Sequence, residues 1–418
     1  MFSELIGHIT SFDNFIASLQ GYIENLSINS VILTVMMIFM VVGAVDKIRG
    51  NKLGYGEKFD DGFNSMGSLC FAMVGIVTMT PILRMVLQPL IGPVYEFLGA
   101  SPAMFATTLL ACDMGGYPLA MELAGEDVAV GNFAGLMLGS MMGATIVFSI
   151  PVGLSIVEEK DRPFLASGIL CGLVTIPIGC LVGGLFMNLT EYKINFMSIV
   201  LNLIPVIIIA GLIAVGLWFK PMAMMNGFAK FGNAVTVMIT IAITIAVFQQ
   251  NTGIMLPLFD TMVEIDPETG TNQLFYGVLT IGSIVFVLIG AFPMVHFITS
   301  VFKKPLMKFG KIFGMNENSS AGMVATLANN IAMFDMMKTM DDKGKILNVA
   351  FAVSAAFVFG DHLGFVAGVN SEMIFPVTIG KLVAGVTALI LANILSSKLL
   401  AKINVQLTAE TCTEGILK

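Results

Sequence analysis

Apolar residues run through this chain in long unbroken stretches, and polar residues interrupt them at few points. The stretches at 28–48, 63–92, 129–156, 163–188, 195–219, 227–250, 272–302, 346–370 and 372–397 are each long enough to match the roughly 18 or more apolar residues of a transmembrane helix. The pattern predicts an all-α polytopic membrane protein of about nine spanning helices. Two further segments, 94–126 and 305–340, are apolar but broken by Gly, Pro, Asp and Asn, and read as re-entrant hairpins. Ahead of the first span, Ile6, Ile9, Phe12, Phe15, Ile16 and Leu19 recur at helical spacing and predict an amphipathic surface helix within 1–27. The polar stretch 403–418 reads as a short, disordered cytoplasmic tail.

The same order of apolar and glycine positions occurs twice. GSLCFAMVGIVTMTPIL begins at Gly67 and GSIVFVLIGAFPMVHFI at Gly282, pairing Ser68 with Ser283, Phe71 with Phe286 and Gly75 with Gly290. Further on, Gly99 falls on Gly314, Ala111 on Ala328, Asn132 on Asn348 and Ala134 on Ala350. We read one repeat over 28–188 with hairpin 94–126, a connecting helix at 195–219, and a second repeat over 227–397 with hairpin 305–340. Four spans and a connecting helix make an odd number of crossings, so the second copy is expected to be inverted. Inverted repeats point to a transporter whose site lies near the bilayer midplane.

Composition narrows the class. Of 418 residues, 56% are hydrophobic and only 12% charged, about half the charge of an ordinary soluble domain. The net charge of −7 contains no basic stripe, which argues against nucleic acid as a partner and leaves the lipid bilayer and a small solute. Cys70, Cys112, Cys171, Cys180 and Cys412 are scattered with no CxxC spacing, so neither a disulfide framework nor a metal centre is expected, and no cofactor. Lys and Arg in short loops mark the cytoplasmic side. With both hairpins re-entrant, Lys47, Arg49, Lys52 and Lys58 share that side with Lys160, Arg162, Lys220, Lys303, Lys304, Lys308, Lys311, Lys338, Lys343, Lys345, Lys398 and Lys402. The first 27 residues and the acidic 251–271 loop (Asp260, Glu264, Asp266, Glu268), free of Lys and Arg, lie outside, and Lys193 is the exception. If both hairpins crossed fully, the acidic loop would be inside and Lys160, Arg162 and Lys220 outside.

Polar groups at membrane depth are costly, by about 2.5–3.5 kcal/mol for an ionisable residue on insertion scales, so those present call for an explanation. The first hairpin tip, LLACDMGGYPLA, holds Cys112, Asp113 and Tyr117; the second, ATLANNIAMF, holds Thr326, Asn329 and Asn330. A third break, FVFGDHLGF, sets Asp361 and His362 between Gly360 and Gly364. Asp113 can attract a cation or cap a helix. Asn329 and Asn330 can contact a ligand or cap the hairpin helices. Asp361 can serve a substrate or pair with Lys381, one span on. Tyr117 and Phe105 can offer an aromatic face to an ammonium group or fill the core. His296 reads as a polar core residue and Glu122 and Glu372 as solvated, while Asp335 stays undecided between a cap and a cavity lining.

At these motifs the chain resembles the ethanolamine utilisation permease family (EutH). TLLACDMGG, GATIVFSIPV, VTIPIGC, KPLMKFGK, AGMVATLANN and FAVSAAFVFGDHLGF carry the likeness, in order, from about residue 30 to 397. Ala332, Asp335 and the extended N-terminus depart from the family pattern. The resemblance implies a non-enzymatic, multi-pass protein of the bacterial inner membrane that passes ethanolamine into the cell by facilitated diffusion. Ethanolamine, a small ammonium with one hydroxyl, would take Asp113 or Asp361 for its nitrogen and Asn329, Asn330 or Thr326 for its oxygen. Two other readings remain open: an ion-coupled transporter of another small polar solute, and an intramembrane aspartyl protease built on Asp113 and Asp361. The oligomeric state, a homo-oligomer included, is left open.

Overall fold

The computed structural model describes residues 12–265, 270–301 and 303–417. Ile6 and Ile9 of the expected amphipathic segment, and Asp266 and Glu268 of the acidic loop, lie outside the described residues. The fold is all-helical, with 85% of residues in helices and no β-strand among the described residues. We number the helices α1 (Asp13–Glu24), α2 (Ile28–Ile48), α3 (Tyr55–Phe97), α4 (Ala103–Leu109), α5 (Tyr117–Ala124), α6 (Val128–Ile156), α7 (Arg162–Met187), α8 (Phe196–Phe219), α9 (Pro221–Thr252), α10 (Gln273–Val301), α11 (Lys303–Ile312), α12 (Glu317–Ala328), α13 (Asn330–Met336), α14 (Asp342–Ala355), α15 (Asp361–Val369) and α16 (Ile374–Leu417).

Among the described residues, eight helices are long and apolar enough to cross a membrane, and the chain is a multi-pass membrane protein. They correspond to the expected spans, with one exception: 346–370 is not a single helix. It divides into α14 and α15 because Phe357 takes a left-handed backbone (φ 61°) and Gly360 leaves the helical region. The polar tail is a second difference, since the backbone of α16 stays helical to Leu417. In the N-terminal segment, Phe12 and, on α1, Phe15, Ile16 and Leu19 are exposed, as are nearly all residues of that helix.

Close helix approach depends on missing side chains, as expected where packing rather than water exclusion drives association. A Cβ on Gly179 of α7 would lie 2.4 Å from the Gly380 carbonyl of α16, so these two backbones touch directly. Prolines inside α3, α7, α8 and α10 remove backbone donors that a lipid-exposed strand could not spare but a helix bundle tolerates.

The two broken segments are each a pair of short helices joined by extended backbone. Leu110 and Ala111 separate α4 from a wide π turn at Cys112–Gly116, and Asn329 (φ −157°, ψ 129°) separates α12 from α13. The second segment returns to its start. Asn316 N–H donates to Asp341 Oδ1 at 3.0 Å, and Asn318 Nδ2 donates to the Thr339 carbonyl at 3.1 Å. The aligned glycines Gly99 and Gly314, one ahead of each pair of short helices, share a left-handed backbone at φ 70° and 74°.

Candidate functional site

Two chain breaks supply the polar centre. In the first, Gly115 adopts φ 83° and any Cβ there would strike Ile76 at 2.1 Å, so the π turn lies flat against α3. In the second, Phe357 N–H and Phe359 N–H donate to the Thr326 and Leu327 carbonyls at 3.2 and 3.0 Å. Those carbonyls belong to the last turn of α12, where no intrahelical donor remains. The two interruptions therefore satisfy each other's backbone groups. A Cβ on Gly360 would lie 2.2 Å from the Ala328 carbonyl, so only glycine permits this approach. Asp361 follows at once, in the first turn of α15, where the helix dipole favours a negative side chain.

A cavity of about 230 Å³ lies between the breaks, lined by Asp113 and Met114 from one and Phe357, Asp361, His362 and Phe365 from the other. Ser65, Ser68 and Leu69 of α3, Phe148 of α6 and Leu288 of α10 close its sides. Neither Asp113 nor Asp361 makes an ion pair or a side-chain hydrogen bond to another residue among the described residues. Cys112 Sγ, an Asp113 carboxylate oxygen and a His362 ring nitrogen lie within 4.8 Å of one another. Lys381 of α16, 1% exposed, donates to the Ser140 carbonyl and sits 3.1 Å from His362 Nδ1. Its partners are thus His362 and Ser140, not Asp361.

One further cavity shares Asp361 with this one, and another lies beyond the Tyr117–Phe365 contact. Asp361 also lines a space of about 220 Å³ with Lys58, Asp61, His296, Thr299 and Asn329. A third, about 320 Å³, is lined by Thr80, Tyr117, Glu122, Asn272 and Tyr276. Tyr117 borders the third cavity and Phe365 the central one, and their rings meet edge-on at 6.2 Å. Two unpaired carboxylates in a largely apolar chamber can bind one small cation, with hydroxyls and an imidazole nearby for a polar tail.

Residues 28–395 match the family described as Ethanolamine utilisation protein, EutH. This chain belongs to the EutH family. It is 52% identical over 377 residues to the probable ethanolamine permease EutH of Listeria monocytogenes serotype 1/2a (strain 10403S), covering 90% of this chain and 96% of that one. With the probable ethanolamine permease EutH of Escherichia coli (strain K12) it shares 50% over 395 residues, covering 89% and 97%. It is 44% identical over 363 residues to YxeR of Bacillus subtilis (strain 168), named as uncharacterized, covering 87% and 94%. No solved structure matches. Relatives named permeases favour a transporter over the protease reading.

Within this EutH chain the expected site residues are distributed over several positions. Asp113, Asp361 and His362 share the central cavity, with Cys112 buried beside them. Asn329 lines the neighbouring cavity, and its Oδ1 accepts from Ile331 N–H at 2.7 Å as the cap of α13. Asn330 is fully buried, donating to Ser149 Oγ at 2.7 Å, while its own Oδ1 has no partner. Thr326 is also fully buried, and its hydroxyl donates to the Gly322 carbonyl at 3.1 Å. Tyr117 borders the third cavity. Asp335 forms an exposed pair with Lys338 at 2.9 Å, and Glu122 one with Arg84 at 2.6 Å. The residues not anticipated are Ser65, Ser68, Lys58 and His296. Ser65 and Ser68 stand three apart on one helical face, beside Gly67 where the aligned stretch begins, which was the available signal.

Proposed function

We propose that this chain carries ethanolamine, as its ammonium, across the bacterial cytoplasmic membrane by facilitated diffusion, through a midplane site between two inverted repeats. The observation that carries the reading is the pair Asp113 and Asp361, one from each repeat, facing a single cavity without a counter-ion of their own. A cation entering there gains what burial otherwise denies the two carboxylates.

Several contacts support the arrangement in the bilayer, because they join chain ends that the Lys and Arg count assigns to one face. On the outer side, Asn29 Nδ2 donates to the Glu372 carbonyl at 2.9 Å, Ser101 N–H to Asn202 Oδ1 at 2.7 Å, and Asn370 Nδ2 to Asn132 Oδ1 at 2.9 Å. On the inner side, Lys345 pairs with Asp161 at 2.8 Å and Lys402 donates to the Trp218 carbonyl. The Asn316–Asp341 hydrogen bond supports a second hairpin that enters and leaves from the cytoplasm. The three cavities then form the route from outside to inside.

The test is uptake of radiolabelled ethanolamine into proteoliposomes, with and without imposed pH and sodium gradients. Uptake to equilibrium at rates that ignore both gradients is the expected result. Accumulation driven by either gradient would replace facilitated diffusion with ion coupling, and no uptake above empty vesicles would remove the substrate assignment.

A further inference from the structure

Among the described residues, Lys381 is the ammonium that contacts His362 of the central cavity, and it hydrogen-bonds to neither unpaired carboxylate. Its two partners are the Ser140 carbonyl and His362 Nδ1. A lysine ammonium has three donors and no acceptor. A carbonyl is acceptor only, which fits. For the imidazole, the same logic requires a lone pair on Nδ1, because a protonated Nδ1 would set two donors against each other at 3.1 Å. In a neutral ring the proton then resides on Nε2. His362 lines the chamber that Asp113 and Asp361 share, so an Nε2–H donor is available there.

We infer that Lys381 is a positioning residue that fixes His362 as an Nε2–H donor, and that this donor recognises the hydroxyl oxygen at the uncharged end of the substrate. This rests on the ethanolamine reading and adds a division of labour to it. The carboxylates take the ammonium, and an imidazole held from behind takes the oxygen. Neither Asp113 nor Asp361 can do the second job, since an ionised carboxylate accepts and does not donate. Met114, Phe357 and Phe365 offer the oxygen nothing. Ser65 and Ser68 have hydroxyls, but these donate to the Gly62 and Ser65 carbonyls at 2.7 and 2.9 Å.

Two experiments separate this inference from the reading beneath it. The first is nitrogen-15 NMR of histidine-labelled protein in nanodiscs. The chain has three histidines, and the His362→Gln variant assigns the third by difference. The Nε2–H tautomer is expected in the parent, with a mixture of tautomers in Lys381→Met. A parent showing Nδ1–H would overturn the inference whatever the substrate is. The second compares equilibrium binding of ethanolamine with that of ethylamine, which has the ammonium and lacks the hydroxyl. The parent should favour ethanolamine by roughly ten-fold. Lys381→Met should reduce that ratio to about two-fold, and His362→Gln, whose amide can donate from the Nε2 position, should preserve it better than His362→Asn. Monodisperse Lys381→Met protein that keeps the parent's ratio would refute the positioning role. A parent that binds neither amine would instead refute the ethanolamine reading and leave the NMR result standing.

Discussion

Asp341 Oδ1 accepts a hydrogen bond from Asn316 N–H at 3.0 Å, closing the α12–α13 part of the second broken segment into a loop whose ends meet. The same carboxylate accepts from Ser319 Oγ at 2.7 Å and caps α14 through Gly344 N–H at 3.0 Å. One side chain thus fixes where the segment starts, where it stops and where the next helix begins.

Burial alone would raise the Asp341 carboxyl, but the Ser319 hydroxyl and the Asn316 and Gly344 amides outweigh it and hold the group below its ordinary value of 3.8. A lowered value means the contribution is complete above 3.8 and is lost as pH falls through the lower folded value. Asp341→Ala should cost about 1–2 kcal/mol through the lost cap and its companions. Thermal unfolding of the purified protein, scanned from neutral pH downward, should show a gap between parent and variant that closes only below 3.8. Hydrogen exchange should quicken in 317–340 and not in α7.

Lys345 and Asp161 make a buried pair at 2.8 Å, with Asp342 at 3.1 Å and the Phe164 ring 4.9 Å from the ammonium. Asp161 Oδ2 has no partner of its own, so it depends on Lys345. Lys345→Met should therefore destabilise by about 3–5 kcal/mol, as expected when one member of a buried pair is left charged and alone. Adding Asp161→Asn should restore a good part of the loss. A double-mutant cycle on melting temperature measures it, and additive losses would show that the two residues are not coupled.

Asp113→Asn and Asp361→Asn keep shape and remove charge. Each should weaken ethanolamine binding by about ten- to hundred-fold, the worth of one charge-assisted contact. Asp335→Asn, at an exposed pair with Lys338, should have far less effect. Scintillation proximity binding at matched protein loading would read all three. Parent-like affinity in both Asp113→Asn and Asp361→Asn would mean the cation sits elsewhere.

Gly360→Ala and Gly143→Ala should prevent recovery of monodisperse protein, because the new Cβ would lie 2.2 Å from the Ala328 carbonyl and 1.9 Å from the Leu110 carbonyl. Gly282→Ala, with nothing within 4 Å, is the control and should behave as the parent. Size-exclusion profiles of fluorescent fusions distinguish the two outcomes.

Spans were readable from apolar run length because a lipid-facing helix has little other option. The interruptions were readable too, since Gly, Pro, Asp and Asn stand out in an apolar run. Azimuth was not. Run length and charge give depth in the bilayer, and they placed Lys381 level with Asp361, but only packing turns it toward His362 and Ser140. For the same reason Asn330 ties α13 to α6 through Ser149, and the Thr326 hydroxyl bonds back to Gly322 within α12, while Ser65, Ser68 and His296 border open space.

Asp361 borders the central cavity and the one beyond it. Under the proposed route, a cargo leaving the middle chamber inward would exchange one oxygen of that carboxylate for the other without ever parting from the residue. On the outward half, the edge-on contact of Tyr117 and Phe365 stands between a residue of the central cavity and one of the next.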